Sequence, residues 1–187
     1  MNVDIVVKVG GSLYDVPDLG PRLADWLAGL NTPNLLIVPG GGRSADLVRA
    51  WDRQHCLGEE TAHWLALRAL TFNAHYLAAI LPGSKVIQGL EEIDSGMLPI
   101  LDMYAWAKAV HHLPGRFPHT WEVTSDSLAA QVAIVGKATQ LILLKSVPLP
   151  EGMNWFEAAQ QGIVDPFFPR AVSMAPGIMT IRLVSFR

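Results

Sequence analysis

This chain is poor in the features that usually mark a function class. It has a single cysteine, Cys56, so no internal disulfide framework can form, which fits a reducing compartment. Its 14 lysines and arginines stand against 17 acidic residues, a formal charge of −3, and leave no basic footprint for nucleic acid. No apolar run approaches the roughly 20 residues that span a bilayer. Around Asp4 there is no cationic region ahead of an apolar stretch, so no signal peptide is expected. These scarcities predict a soluble cytoplasmic protein with neither nucleic acid nor membrane as partner.

Common site signatures are missing as well. There is no Gly-x-x-x-x-Gly-Lys-Ser/Thr loop and no Gly-x-Gly-x-x-Gly fingerprint. The histidines make no zinc pattern. His63 and His75 lie twelve apart on one predicted helix and point in different directions, and His111-His112 reads as a polar helix end. Cys56 beside His55 reads as packing rather than a nucleophile. The six tryptophans read mostly as core. No protein-held metal site is expected.

What is present is a chain of 187 residues, half of them apolar, enough for one domain (1–187) with a full core. Apolar β-branched runs predict strands at residues 3–9, 35–38, 86–87, 99–101, 141–144, 163–164 and 178–184. Helical spacing predicts helices over residues 16–30, 44–54 (Leu47, Val48 and Trp51 inward), 59–81, 104–110, from 125 to Gly136 (Leu128, Val132 and Val135 inward) and 154–161. Residues 113–120 read as a loop, and 167–172 fit neither class. Strands alternating with helices predict an α/β fold, a mainly parallel sheet covered on both faces.

In such sheets ligands bind outside the carboxyl ends of the strands, and the unusual residues gather there. Residues 5–12 read Ile-Val-Val-Lys-Val-Gly-Gly-Ser. Lys8 does not suit a buried strand, because an unpaired ammonium in an apolar layer is costly. Either it snorkels at a strand edge or an anion sits near it. Gly10, Gly11 and Ser12 follow it, and Gly40, Gly41 and Gly42 follow the second strand. Lys145 ends the strand from Leu141, so two of only five lysines cap the most apolar strands. Two glycine turns at one sheet edge, each leading to a helix start, form an anion cradle. Paired cradles with a bridging lysine suit phosphoryl transfer, which needs positioning and charge neutralisation. Asp126 could orient the lysines or a hydrated metal, or could only cap its helix, with Thr124 or Ser125 sharing the task. Trp121, in the loop before it, could stack on a flat or cationic acceptor.

Residues 5–12 (IVVKVGGS), 37–42 (IVPGGG) and 124–130 (TSDSLAA) stand in the order found in the amino-acid kinase superfamily, which the chain resembles over nearly its whole length. That group includes acetylglutamate kinase, aspartokinase, uridylate kinase and isopentenyl phosphate kinase. The short length and residues 120–130 (TWEVTSDSLAA) look most like its methanofuran-biosynthesis branch, which phosphorylates an aminomethylfuran-methyl phosphate. The resemblance implies a three-layer α/β/α sandwich, ATP with Mg²⁺, transfer to a phosphate, carboxylate or similar oxygen of a small-molecule acceptor, and a homo-oligomer. By motif it implies catalytic roles for Lys8 and Asp126, donor-phosphate binding by Gly10, Gly11 and Ser12, and acceptor binding by Gly40, Gly41 and Gly42. Relatives carry an Asp-Val-Asp-Gly-Val-Tyr-like segment after the strand at 141–144, whereas this chain continues Lys145-Ser146-Val147-Pro148-Leu149-Pro150. The nucleotide cover is therefore expected to be shortened, with a binding protein that has lost its lid as the alternative. Relatives also place a second lysine on a late helix; Arg170 is the expected substitute as a catalytic cation, with Lys145 the other candidate on the donor-phosphate side.

Overall fold

A computed structural model of the chain describes residues 3–94, 96–112, 117–175, 177 and 179–187. Among them, six strands form one sheet: β1 (Ile5–Val9), β2 (Leu35–Pro39), β3 (Ser84–Ile87), β4 (Leu98–Leu101), β5 (Gln140–Lys145) and β6 (Thr180–Ser185). Their order is β3-β4-β2-β1-β5-β6, and every neighbouring pair is parallel. Helix α1 (Leu19–Ala28) joins β1 to β2. Helices α2 (Gly42–His55) and α3 (Glu59–Ile80) join β2 to β3. Helices α4 (Met103–Val110) and α5 (Ser125–Val135) join β4 to β5, and α6 (Trp155–Gln160) and α7 (Phe168–Ser173) join β5 to β6.

Alternation along the strands makes the two faces. Val7, Val9, Ile37, Ile142 and Leu144 pack with Leu19, Leu23 and Leu27 of α1. Val6, Leu36, Val38, Leu141 and Leu143 pack on the other face with Leu128, Ala129 and Val132 of α5. Each fully buried Leu or Ile contributes about 1.5–3 kcal/mol, so the sheet centre dominates stability. Helix α3 serves both layers, with Leu67 and Leu70 in one cluster and Ala74 and Leu77 in the other. The same alternation places Lys8 on the face of Val6, and Lys145 on the face of Leu141 and Leu143. Both lysines therefore face α5.

The chain first builds outward from β1 through β2, then returns to place β5 on the opposite side of β1. Lys8 sits at this reversal, in register with Val38 on one side and Leu143 on the other. A crevice opens at such a point beyond the strand ends.

Several sequence expectations need correction. Leu47 and Trp51 are 49 % and 44 % exposed, because α2 packs on α3 and on the turn after β1 rather than on the sheet. Val135 is exposed at the end of α5. Residues 163–164 form a bend rather than a strand, and the unassigned stretch at 167–172 contributes α7, anchored by buried Phe168. Of the tryptophans only Trp106 is fully buried. Cys56 is exposed in a left-handed helix cap, not packed. The loop expected at 113–120 is irregular over 117–120; residues 113–116, like Ile178 of the last predicted strand, lie outside the described residues.

Candidate active site

The two glycine turns touch. A Cβ on Gly11 would run into the backbone of Gly42, and Gly42 itself has φ +53°, so a side chain is excluded at either position. This contact locks the turn after β1 against the start of α2. Gly41, the N-cap of α2, carries no side chain to satisfy the first-turn N–H groups, which lack intrahelical acceptors. That end of α2 is thus left open to an anion.

Gly40 is a support rather than a lining residue. Its N–H donates to the Tyr14 hydroxyl (2.9 Å), and its carbonyl accepts from Asn73 Nδ2 (2.7 Å). Asn73 Nδ2 also donates to Gly41 O (2.7 Å). Burial pushes the Tyr14 phenol well above its ordinary range, so it stays neutral. Asn73 was not singled out from sequence, although a polar residue beside Ala74 on the buried stripe of α3 was the available signal.

Lys8 and Asp126 are each 3 % exposed. Lys8 Nζ lies 2.8 Å from Asp126 Oδ1, and Lys145 Nζ donates to Asp126 Oδ2 at 2.6 Å. The contact to Oδ1 is ionic rather than a well-aligned hydrogen bond, since that oxygen has no hydrogen-bond partner of good geometry. Burial pushes the Asp126 carboxyl up, but the two ammoniums together outweigh it and hold it below its ordinary range. Lys145 goes the other way. Burial, then repulsion from Lys8, brings it from 10.5 down to about 8 against the attraction of Asp126. Lys8, Lys145 and Asp126 together carry two positive charges against one negative at the carboxyl ends of β1 and β5, with Asp165 further along the cleft.

Asp126 is the second residue of α5, whose N-cap is Thr124, so its carboxylate is not the cap. It sits at the positive end of the helix dipole and turns to the lysines. The cap function falls to Asp165, a buried residue that the sequence reading missed. Its Oδ2 accepts from Thr124 N and Ser127 N, both at 3.0 Å.

These groups line a cleft of about 430 Å³. Lys8, Gly10, Gly11, Ser12, Gly41, Gly42, Asp126 and Lys145 form one end. Ala45, Ala66, Leu67 and Leu70 supply apolar wall, and Arg49, Glu59, His63 and Trp121 add polar and aromatic surface. Ser12 Oγ donates to Ser146 Oγ at 2.9 Å, closing the turn after β1 against the turn after β5. Trp121 does line the cleft, but Arg49 lies over its ring at 4.6 Å, and its Nε1 donates to Asp52 Oδ2 at 2.7 Å. Arg170 is not brought to this site. It is exposed on α7 with its guanidinium 5.5 Å from the Phe167 ring. Lys145, not Arg170, lies beside Asp126 and Lys8, because strand alternation aims it at α5, whereas Arg170 is exposed on a short helix. Among the described residues no cluster of three or more His, Cys, Asp or Glu side chains could hold a metal ion.

No protein-family model matches the chain. The parallel six-stranded sheet covered by helices is the α/β fold expected from the sequence motifs, and it matches amino-acid kinase-like structures. The chain is 28% identical over 153 residues to a curated (5-(aminomethyl)furan-3-yl)methyl phosphate kinase of Methanocaldococcus jannaschii, covering 76% of this chain and 65% of that one. It therefore spans less than two thirds of that relative's length. Among solved structures it is similar to a uridylate kinase from Archaeoglobus fulgidus, with TM-score 0.62 and 16% identity over 90% of this chain and 85% of that one. It is also similar to an aspartate kinase from Synechocystis, with TM-score 0.61 and 16% identity over 96% of this chain and 38% of that one. At these identities the solved structures establish the fold. No helix among the described residues is long and apolar enough to cross a membrane.

Proposed function

We propose that this chain is an ATP-dependent kinase of small molecules. It transfers the γ-phosphoryl group to an anionic oxygen of a phosphate-type acceptor, with an aminomethylfuran-methyl phosphate as the acceptor by analogy with the curated relative. The observation that carries the reading is one buried aspartate clasped by two lysines at adjacent strand ends, beside two abutting glycine turns. Folding alone does not favour two ammoniums around one carboxylate in a site this buried. A polyanion entering the cleft supplies the missing negative charge.

The chemistry asks for little beyond position and charge. An acceptor oxygen attacks the γ-phosphorus, the bond from γ-phosphorus to the β–γ bridging oxygen breaks, and ADP leaves with that electron pair. A phosphomonoester dianion has no proton to lose, so no general base is required. Asp126 is a poor base in any case, because both its oxygens face ammoniums. Its role is to hold Lys8 and Lys145 apart and aimed at the transferred group. Lys8 neutralises that group from β1, and Lys145 does so from β5. Gly10, Gly11 and Ser12 serve the donor phosphates. Gly41 and Gly42 serve the acceptor and the moving group, with Gly40 as their anchor and Trp121 as part of the acceptor wall. The lining residues suit a magnesium ion that arrives with the nucleotide phosphates rather than one caged by protein. That ion would screen the donor charge.

The reading takes residues 1–187 as one kinase domain, cytoplasmic and homo-oligomeric. Exposed Leu47 and Trp51 on α2 and Phe72 on α3 are apolar side chains that support association. The alternative, a binding protein that has lost its nucleotide lid, is not favoured, since the curated relative that the chain resembles at 28% identity is a kinase. ADP release across a panel of phosphomonoester acceptors tests the proposal. Acceptor-dependent release that vanishes in Lys8→Met supports it, and equal release in both proteins rules it out.

A further inference from the structure

Asp165 takes no part in the transfer just described, yet it is 6 % exposed and accepts hydrogen bonds on both oxygens. Its Oδ2 takes Thr124 N (3.0 Å), Thr124 Oγ1 (2.9 Å) and Ser127 N (3.0 Å), and its Oδ1 takes Ser127 Oγ. Thr124 makes no side-chain bond to its own helix. A carboxylate 38 residues downstream of Ser127 therefore caps α5 in its place. These four bonds grip the chain on both sides of Asp126. The same two segments are tied again where Phe167 N donates to Glu122 O at 3.2 Å.

Four donors meeting one buried side chain exceed what capping needs; a helix N-cap usually spends one oxygen on one or two N–H groups. Fixing Thr124 and Ser127 fixes the backbone of Asp126, and with it the direction from which its carboxylate reaches the lysines. Asp165 also lines the cleft itself.

We propose that Asp165 is a positioning residue of the phosphoryl-transfer site: it clamps the start of α5 so that Asp126 bridges Lys8 and Lys145. The chemistry rests on the kinase reading, and the clamp rests only on geometry. A second effect follows from charge. Lys145 is faced by Lys8 from β1, Asp126 from α5 and Asp165 from the turn before α7. Asp165 joins Asp126 in favouring its ammonium, against burial and Lys8.

Two variants of the full chain separate these effects. In Asp165→Asn, Oδ1 can accept from Thr124 and Ser127 N while Nδ2 donates to Ser127 Oγ, whose hydroxyl turns round. The clamp survives and the charge is lost. Asp165→Ala removes both. The readouts are melting by circular dichroism, kcat and KM against pH, and pH titration of ¹³C-labelled lysine side chains by NMR. Asp165→Ala is expected to melt earlier and, measured while folded, to lose on the order of tenfold to a hundredfold in kcat with a smaller change in KM. Asp165→Asn is expected to recover most of kcat at neutral pH. Its alkaline limb and the Lys145 titration midpoint should both move to lower pH. Wild-type kcat in folded Asp165→Ala, or loss of most of kcat at neutral pH in Asp165→Asn, overturns the proposal. If Asp165→Ala does not fold, Asp165→Asn carries the test. If wild type has no turnover, the kinase reading fails on its own, and the lysine midpoints still decide: a shift in Asp165→Ala beyond that in Asp165→Asn supports the clamp, and equal midpoints overturn it.

Discussion

Lys145→Met should make the protein more stable and inactive. Holding Lys145 as an ammonium whose pKa has fallen from 10.5 to about 8 costs the folded state up to about 3 kcal/mol at neutral pH. That figure already includes the attraction of Asp126. The side chain keeps 14 % of its exposure, so some solvent screening remains, and about 1–2 kcal/mol is a fair expectation for the gain. Methionine fills a similar volume without the charge, and Asp126 keeps Lys8. For a chain of this size the melting temperature should rise by roughly 3–6 °C. The pH dependence gives a second signature. A depressed pKa means stability that is present above the unfolded value and lost as pH falls through the folded one. The advantage of Lys145→Met should therefore be full below about pH 8 and fade as pH rises toward 10.5. Urea melts of both proteins from pH 7 to 11, beside turnover assays at pH 7, provide the test. A variant that is less stable than wild type at pH 7, or one that keeps its activity, refutes the reasoning.

Three further outcomes are expected. Lys8→Met should lower turnover by a factor on the order of a thousand while leaving a cooperative melt, because it removes transition-state charge stabilisation and Asp126 keeps Lys145; steady-state kinetics with a thermal melt checks both parts. Gly11→Ala should be destabilised by about 2 kcal/mol or more in urea melts and lose nucleotide affinity, because its Cβ would meet the backbone of Gly42. His63, stacked on His119 with ring centroids 4.0 Å apart, is held by burial and then by the charge of His119 at about 4, below its ordinary 6.5. Its depressed pKa makes the fold lose about 1–2 kcal/mol as pH drops from about 6.5 to about 4. His63→Gln should flatten that part of the acid-denaturation curve.

Much of the architecture was legible because its causes are local. Short apolar runs bounded by turn or polar residues are strands wherever they are buried on both faces, and β1, β2 and β5 were of that kind. The glycine turns could be read because their sequence already implies close backbone approach. Lys8 stood out as a charge in an apolar run. What the sequence hid was set by distance along the chain. As charges, Arg170 was the first candidate and Lys145 the second. The alternation from Leu141 and Leu143, which aims Lys145 at α5, decides between them only once α5 is known to cover that face. Leu47 and Trp51 followed a helical stripe, but among the described residues α2 packs on α3 and on the turn after β1 rather than on the sheet. Asp165 gave no signal at all, since its partners Thr124 and Ser127 lie far back in the chain. Asn73 was visible as a polar break in an apolar stripe, without any hint that it holds Gly40 and Gly41.

The most direct measurement is ³¹P NMR of a mixture of MgATP, (5-(aminomethyl)furan-3-yl)methyl phosphate and the wild-type chain, with Lys8→Met in parallel. The expected result is loss of the phosphomonoester signal with growth of a diphosphate ester and one ADP per ester consumed, all absent in Lys8→Met. ADP and inorganic phosphate without a diphosphate ester, or the same conversion in Lys8→Met, would contradict phosphoryl transfer to an acceptor phosphate at the Lys8–Asp126–Lys145 site.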